Sequence, residues 1–208
     1  MKEQSEEKLG FTGPLDELQQ ILECIVHLDR TRGPAATQQA LNQLLAAMGG
    51  YTHAGRAYIF ESVIGTDTFL NRNEWCAPGV EPQIDNLQNI HESDMPYWLA
   101  RFREGKSVII ENLEDVREIM PKEYEILAPQ HIRSLIAFPI TCRNELIGFV
   151  GLDDPVVSRS GQLINLLALV GSHLGGHWAN SHMGQLLESN RKTLEKEKSF
   201  LEVLCRDY

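Results

Sequence analysis

The order of patterns along the chain predicts an α+β fold built on an antiparallel sheet, not a strict βαβ alternation. Three observations carry this expectation. Apolar residues recur at helical spacing between positions 15 and 48, aromatic and β-branched runs take over between 56 and 76, and residues 135–155 read as a single hairpin. In that hairpin the apolar runs 135–141 and 146–153 flank four polar residues, 142–145, a loop length that favours antiparallel pairing. Ile136 and Phe138 lie on one face and Leu135 and Ala137 on the other, so both faces need a cover and the hairpin belongs at the centre of the sheet. Pro139 has no amide proton, which requires a bulge or an unpaired side there. Gly148 and Gly151 leave room above the second strand.

Residues 1–12 are charged and aperiodic and are expected to form a loose tail. Thr12-Gly13-Pro14 starts a first helix with Asp16 and Glu17 in its first turn, and Leu15, Leu18, Ile21, Leu22, Ile25 and Leu28 give it a broad apolar face. Gly33-Pro34 starts a second, striped by Leu41, Leu44, Leu45 and Met48 and ending at Gly49-Gly50. Residues 56–63 form a strand, Gly65-Thr66-Asp67 a turn, and residues 68–76 the return strand of a meander. Residues 77–93 make a long excursion of the kind that often serves function. A short helix opens at Ser93-Asp94-Met95-Pro96 and closes at Gly105, residues 107–110 form a short strand, and Pro121 begins another short helix to about Pro129.

Helical character returns near Ser160 and runs on to the end. Leu166, Leu169, His173, Gly176, Asn180, Met183, Leu187, Asn190, Leu194, Glu197, Leu201 and Leu204 alternate at intervals of three and four, a heptad seam that predicts a homodimer through this helix. The expected dimer interface comprises Leu166, Leu169, His173, Met183, Leu187, Asn190, Leu194 and Leu201. No helix-end signal precedes Tyr208, so residues 183–208 are expected to be the stem of a longer signalling helix.

With 208 residues, 42% of them hydrophobic, one substantial core is the default. A formal charge of -10 without clustered Lys and Arg argues against nucleic acid and anionic membranes. There is no apolar run long enough to span a bilayer and no signal-peptide core, so a cytoplasmic location is expected. The four cysteines, Cys24, Cys76, Cys142 and Cys205, are dispersed without a C-x-x-C pair, which predicts free thiols.

The order of elements, and above all Ile132-Arg133-Ser134-Leu135-Ile136-Ala137-Phe138-Pro139-Ile140 followed by Gly148, resembles the GAF family of sensory domains over roughly residues 15–182. The run from Glu74-Trp75-Cys76 to Leu87-Gln88 also resembles GAF segments of bacterial multidomain signalling proteins. The resemblance implies a GAF domain over residues 13–182 with a GAF-like (profilin-like) six-stranded antiparallel sheet. Helices would pack on one face, and loops and short helices between residues 77 and 131 would close a pocket on the other. It implies a sensory or regulatory domain that binds a small molecule, dimerises, and controls a covalently linked output domain of the diguanylate cyclase or histidine kinase type. The family's cyclic-nucleotide signature does not fit residues 108–125, and no cysteine between residues 86 and 141 offers an attachment for a bilin. The cofactor or ligand is left unnamed.

Phe60, Trp75, Trp98, Tyr124, Ile136 and Phe138 are the expected apolar wall of such a pocket, with Cys76 beside it and Asn112 and Ser134 orienting a ligand. The same aromatics would equally fill a core, and a ligand-free dimerisation module is the alternative. Cys76 and Cys142 raise a further reading, a GAF-fold reductase of free methionine sulfoxide, which needs an activated thiol and a second to resolve it. His173 and His177 share a helix face at metal-ligand spacing, but the H-E-x-x-H pattern is absent and an interfacial role suffices. Asp153-Asp154 reads as a turn and helix entry, not a cation site.

Overall fold

The computed structural model of the protein describes residues 14–63, 65–156, 161–179 and residue 191. Two helices lead, α1 (Pro14–Arg30) and α2 (Pro34–Thr52), each with proline in its first turn where no amide proton is missed. Strands β1 (Arg56–Ser62) and β2 (Thr68–Cys76) form the meander. The two-residue β3 (Ile90–His91), α3 (Pro96–Arg103), β4 (Val108–Ile110) and α4 (Pro121–Leu127) follow. The hairpin β5 (Leu135–Cys142) and β6 (Glu145–Asp153) precedes a helix over 161–179, here α5. All pairings are antiparallel in one six-stranded sheet of order β3-β2-β1-β6-β5-β4.

The hairpin is tighter than its polar stretch suggests. Its strands run to Cys142 and Glu145, leaving Arg143 and Asn144 as a two-residue turn with φ of 51° and 67°, the double left-handed geometry that matches strand twist. Strand β6 is central beside β1, and β5 lies one place from the edge. Pro139 is accommodated because β4 pairs only with residues 135–137 of β5, so one side of the strand has no neighbour at the proline. A second local difference lies in α2, which passes through Gly49-Gly50 and ends at His53 in the left-handed conformation. Gly49 is a packing residue: a Cβ there would overlap the Trp75 ring, which lies against the helix.

Each face of the sheet carries its own core. Ala57, Ile59, Ile136, Ile140, Val150 and Leu152 face α1, α2 and α5, which contribute Ile21, Ile25, Leu44, Leu45, Val170 and Leu174 among others. Leu166 belongs to this intradomain core, which corrects its assignment to the dimer seam: the heptad's first apolar position is spent on the sheet. In α1, Leu15 and Leu22 face solvent while Ile21, Ile25 and Leu28 are buried, so its apolar stripe is narrower than expected. Met183, Leu187, Asn190, Leu194 and Leu201, with the tail over 1–12, lie outside the described residues. On the opposite face Phe60, Phe69, Leu135, Ala137 and Phe149 pack with Trp98, Leu99 and Phe102 of α3.

One buried ion pair ties the ends of the central strands. Arg56, the first residue of β1, donates through Nε to Asp153 Oδ2 at 2.9 Å, and both side chains are almost fully buried. Its other nitrogens donate to the carbonyls of Glu81 at 3.2 Å and Gln130 at 3.3 Å. Burial pushes the Asp153 carboxyl up to about 6, against the opposing pull of Arg56. The neighbouring Asp154, at φ 49°, accepts from the amides of Arg133 and Ser134, both at 2.9 Å, so Asp153-Asp154 is a structural corner, as the sequence suggests.

Two outcomes are expected. Gly49→Ala should lower the unfolding free energy by about 1–3 kcal/mol, although alanine is the better helix former, and the loss should shrink in a Trp75→Leu background; additive losses in urea melts would count against the packing role. Because the folded-state value of Asp153 exceeds its ordinary 3.8, its contribution to stability is full below that value and is lost as pH rises through about 6. Carbon-13 NMR of the Asp153 carboxyl should give a midpoint near 6, and a midpoint near 4 would refute the burial effect.

Candidate functional site

Strand alternation decides which side chains reach the space between the sheet and its cap. On β1, Tyr58 and Phe60 point to the face covered by α3 and α4, whereas Ala57 and Ile59 point to α1 and α2. On β6, Phe149 and Asp153 share the face of Tyr58. Gly151 stands between them because any Cβ there would strike the Tyr58 ring, and Gly148 is held just as closely on the other face by the Phe60 carbonyl. The result is an open-mouthed cavity floored by Tyr58, Phe60 and Phe149. Leu87, Ile90 and Met95 form one wall, and Trp98, Ile126 and Leu127 from the short helices form another.

The aromatic floor is ordered. Phe60 and Phe149 stack with centroids 4.6 Å apart at 10°, and Trp98 stands edge-on to Phe149 at 5.7 Å. Four polar side chains, Glu74, Glu123, Gln130 and Asp153, interrupt this lining. Glu74 is satisfied: Oε2 accepts from the amides of Gln83 at 2.8 Å and Ile84 at 3.0 Å, which folds the long excursion back onto β2. The Tyr58 hydroxyl bonds Asp153, and its pKa is raised well above the ordinary 10.0 by burial first and that carboxylate second. Glu123 Oε1 accepts from the amides of Tyr97 at 2.7 Å and Trp98 at 3.3 Å, so a residue of α4 caps the start of α3.

Of the side chains singled out from sequence, Phe60 and Trp98 line this cavity. Trp75, Ile136 and Phe138 lie on the opposite face and correct the expected wall. For Trp75 the cause is a bulge: Ile59 pairs with Asn73 but Phe60 pairs with Asn71, so Arg72 is an extra residue that reverses the alternation. Asn71 therefore shares the cavity face with Phe60, while Trp75 packs towards α2. Ile136 and Phe138 belong to the strand face that received the helices, and Phe138 lies under α5. Cys76 is half-buried at the end of β2, outside the wall. Asn112 is exposed and donates to Asp115 at 2.8 Å and Ser134 is engaged with Asp154, so neither orients a ligand in the cavity, and Tyr124, whose hydroxyl donates to Glu114 at 2.7 Å, is not part of its wall.

Sequence reasoning missed Tyr58, Glu74, Glu123, Phe149 and Asp153. Tyr58 had a local signal, since it sits two residues before Phe60 and shares its face. The carboxylates had none, because each is placed by partners far along the chain. The histidine pair divides: His173 faces Asp29 of α1 at 3.4 Å, and His177 is partly buried, with its pKa lowered by that burial. Among the described residues no group of three His, Cys, Asp or Glu side chains is arranged to hold a metal ion, and no helix is long and apolar enough to cross a membrane.

Comparison with known proteins agrees with this architecture. The chain is similar to the phycoerythrobilin-bound GAF domain of a cyanobacterial phytochrome, with a TM-score of 0.67 and 14% identity, covering 83% of this chain and 100% of that one. It is also similar to the A. aeolicus nlh2 GAF domain in an inactive state, with a TM-score of 0.57 and 13% identity, covering 80% of this chain and 98% of that one. In sequence it is 32% identical over 150 residues to the methanogenesis regulatory histidine kinase FilI of Methanothrix harundinacea (strain 6Ac). That match takes in 69% of this chain but only 16% of the kinase. The family model of the GAF domain matches residues 36–177, from α2 through the hairpin to α5, and the chain belongs to the GAF domain family.

Proposed function

We propose that this chain is the sensory part of a signalling protein: the cavity takes a small molecule, and its occupancy is passed through the β5–β6 hairpin to α5 and on to a linked output domain. The observation that carries this reading is the position of the hairpin. Phe149 and Asp153 line the cavity, while Val150, Ile136 and Phe138 on the reverse face meet the helices. A ligand that shifts Phe149 therefore moves a strand on which the exit helix rests. The sequence relationship to a regulatory histidine kinase, of which this chain spans a small part, favours a kinase-type output over a cyclase.

The helical side supports a homodimer. Leu22 and Val26 of α1 are 44% and 48% exposed and Leu169 of α5 is 37% exposed, and the Asp29–His173 pair links these two helices. An apolar strip of this kind is a surface that a second copy would cover. A ligand-free dimerisation module would leave its cavity closed by its own side chains, and the open volume with buried unpaired atoms weighs against it. The thiol-reductase reading is weakened by geometry. Cys76 pairs with Arg56, which pairs with Asp153, whereas Cys142 pairs with Glu145. The two thiols thus sit at opposite ends of β6, roughly 26 Å apart along the strand. Burial, then the neighbouring Glu74, also raises the Cys76 thiol to about 11.

Native mass spectrometry of the purified chain should show a dimer with a retained small molecule, and Leu22→Glu with Leu169→Glu should convert it to a monomer that still binds. An empty wild-type protein that also takes up nothing from a metabolite extract would end the sensory reading. Site-resolved alkylation at pH 7.5 should modify Cys76 roughly tenfold more slowly than free cysteine, since the scarcity of thiolate outweighs its greater nucleophilicity; faster modification would restore the thiol chemistry.

A further inference from the structure

The polar atoms of the cavity do not all find partners, and those left over define what a ligand must bring. The carboxylates of Glu74 and Asp153 are engaged by backbone amides, Asn71, Arg56 and Tyr58. Two atoms remain. Glu123 Oε2 and Trp98 Nε1 are buried with no hydrogen-bond partner among the described residues, on side chains of residues only 2% and 4% exposed. One is an acceptor and the other a donor. Both residues line the cavity, and Glu123 Oε1 holds the backbone amide of Trp98 at 3.3 Å, so the two side chains enter it from neighbouring points of the wall. Leaving such atoms unpaired away from water is costly, and more so for a charged group. A native site tolerates that where a bound molecule supplies the missing partners.

Charge narrows the choice. Three carboxylates line the cavity, and one guanidinium, Arg56, is paired with one of them. A ligand anion would face uncompensated negative charge in a poorly hydrated space, whereas a protonated amine would form a charge-assisted bond to Glu123 Oε2. The stacked Phe60 and Phe149 rings and the edge of Trp98 accommodate an apolar, preferably aromatic, body beside it.

We infer that the cavity recognises a small organic amine: its ammonium group donates to Glu123 Oε2, an adjacent hydrogen-bond acceptor receives the Trp98 indole N–H, and its apolar body lies on Phe60 and Phe149. This rests on the reading that the cavity takes a small molecule and adds the chemical class of that molecule.

Three probes with the same phenyl carbinol body separate the alternatives: 2-amino-1-phenylethanol, 1-phenyl-1,2-ethanediol and mandelate, which differ only in carrying an ammonium, a hydroxyl or a carboxylate. Toluene serves as the bare-ring control. Titrations of the full chain are followed by ligand-observed saturation-transfer NMR, with the NMR signal of the Trp98 indole N–H as a second readout wherever Trp98 is present. The amine should bind at least about tenfold tighter than the diol, with mandelate weaker still. Glu123→Gln keeps an oxygen for the α3 amides and turns an NH2 towards the ligand, so it should reverse the order in favour of mandelate. Trp98→Phe should weaken all three carbinols more than toluene, which loses only ring contact, and circular dichroism checks the fold of both variants. Equal or preferred binding of the diol or mandelate by the wild type overturns the assignment of an amine. Binding of toluene alone also overturns it while leaving a ligand cavity in place, and a failure of all four probes removes both readings.

Discussion

The buried pair between Arg56 and Asp153 is the contact on which the two halves of the domain depend. A guanidinium taken out of water needs its donors occupied, and here three chain segments converge on the arginine of β1: β6 supplies the carboxylate, the excursion after β2 the Glu81 carbonyl, and the turn after α4 the Gln130 carbonyl. β1 and β6 already pair at these two residues, and the guanidinium ties the excursion and the turn, distant in sequence, to them. The same contact sets one polar end of the cavity, since Asp153 also receives the Tyr58 hydroxyl. Fold and site are therefore fixed by one arrangement of charges.

Much of the architecture was legible because it is written in local chemistry. Prolines at positions 14, 34, 96 and 121 each stand at the start of a helix, the return strand expected over Thr68 to Cys76 is a strand to its last residue, and the β5–β6 hairpin follows from apolar runs around a polar turn. The failures are of another kind. Which face of β5 receives the helices is a tertiary decision, so Ile136 and Phe138 could not be told from Leu135 and Ala137 by composition. The bulge at Arg72 depends on how β1 and β2 pair, and it alone turned Trp75 away from the cavity. Gly49 looked like a helix terminator because the ring that needs its missing side chain lies 26 positions later. Glu123 became a site residue only once α4 was folded against the first turn of α3.

The site lies across a sheet one strand thick, which gives the two cores a short separation. Phe149 and Val150 are neighbours in sequence, yet one contacts the aromatic floor and the other the helical core. The cap is built differently from the sheet. It consists of short helices and turns held by carboxylate caps and a few apolar contacts, a construction that opens at lower free energy than a central strand. The domain thus combines an adaptable lid with a stiff floor.

That stiffness extends to the exit helix. Where α5 crosses β5, Gly171 and Gly175 bring the helix so close to the carbonyls of Pro139 and Thr141 that neither position has room for a Cβ. Most helix–sheet contacts are cushioned by side chains that can change rotamer and absorb a small displacement. At this crossing there is no such cushion, and packing of this density does not compress. In mechanical terms the joint between strand and helix is rigid, so displacement on one side of it must appear as displacement on the other.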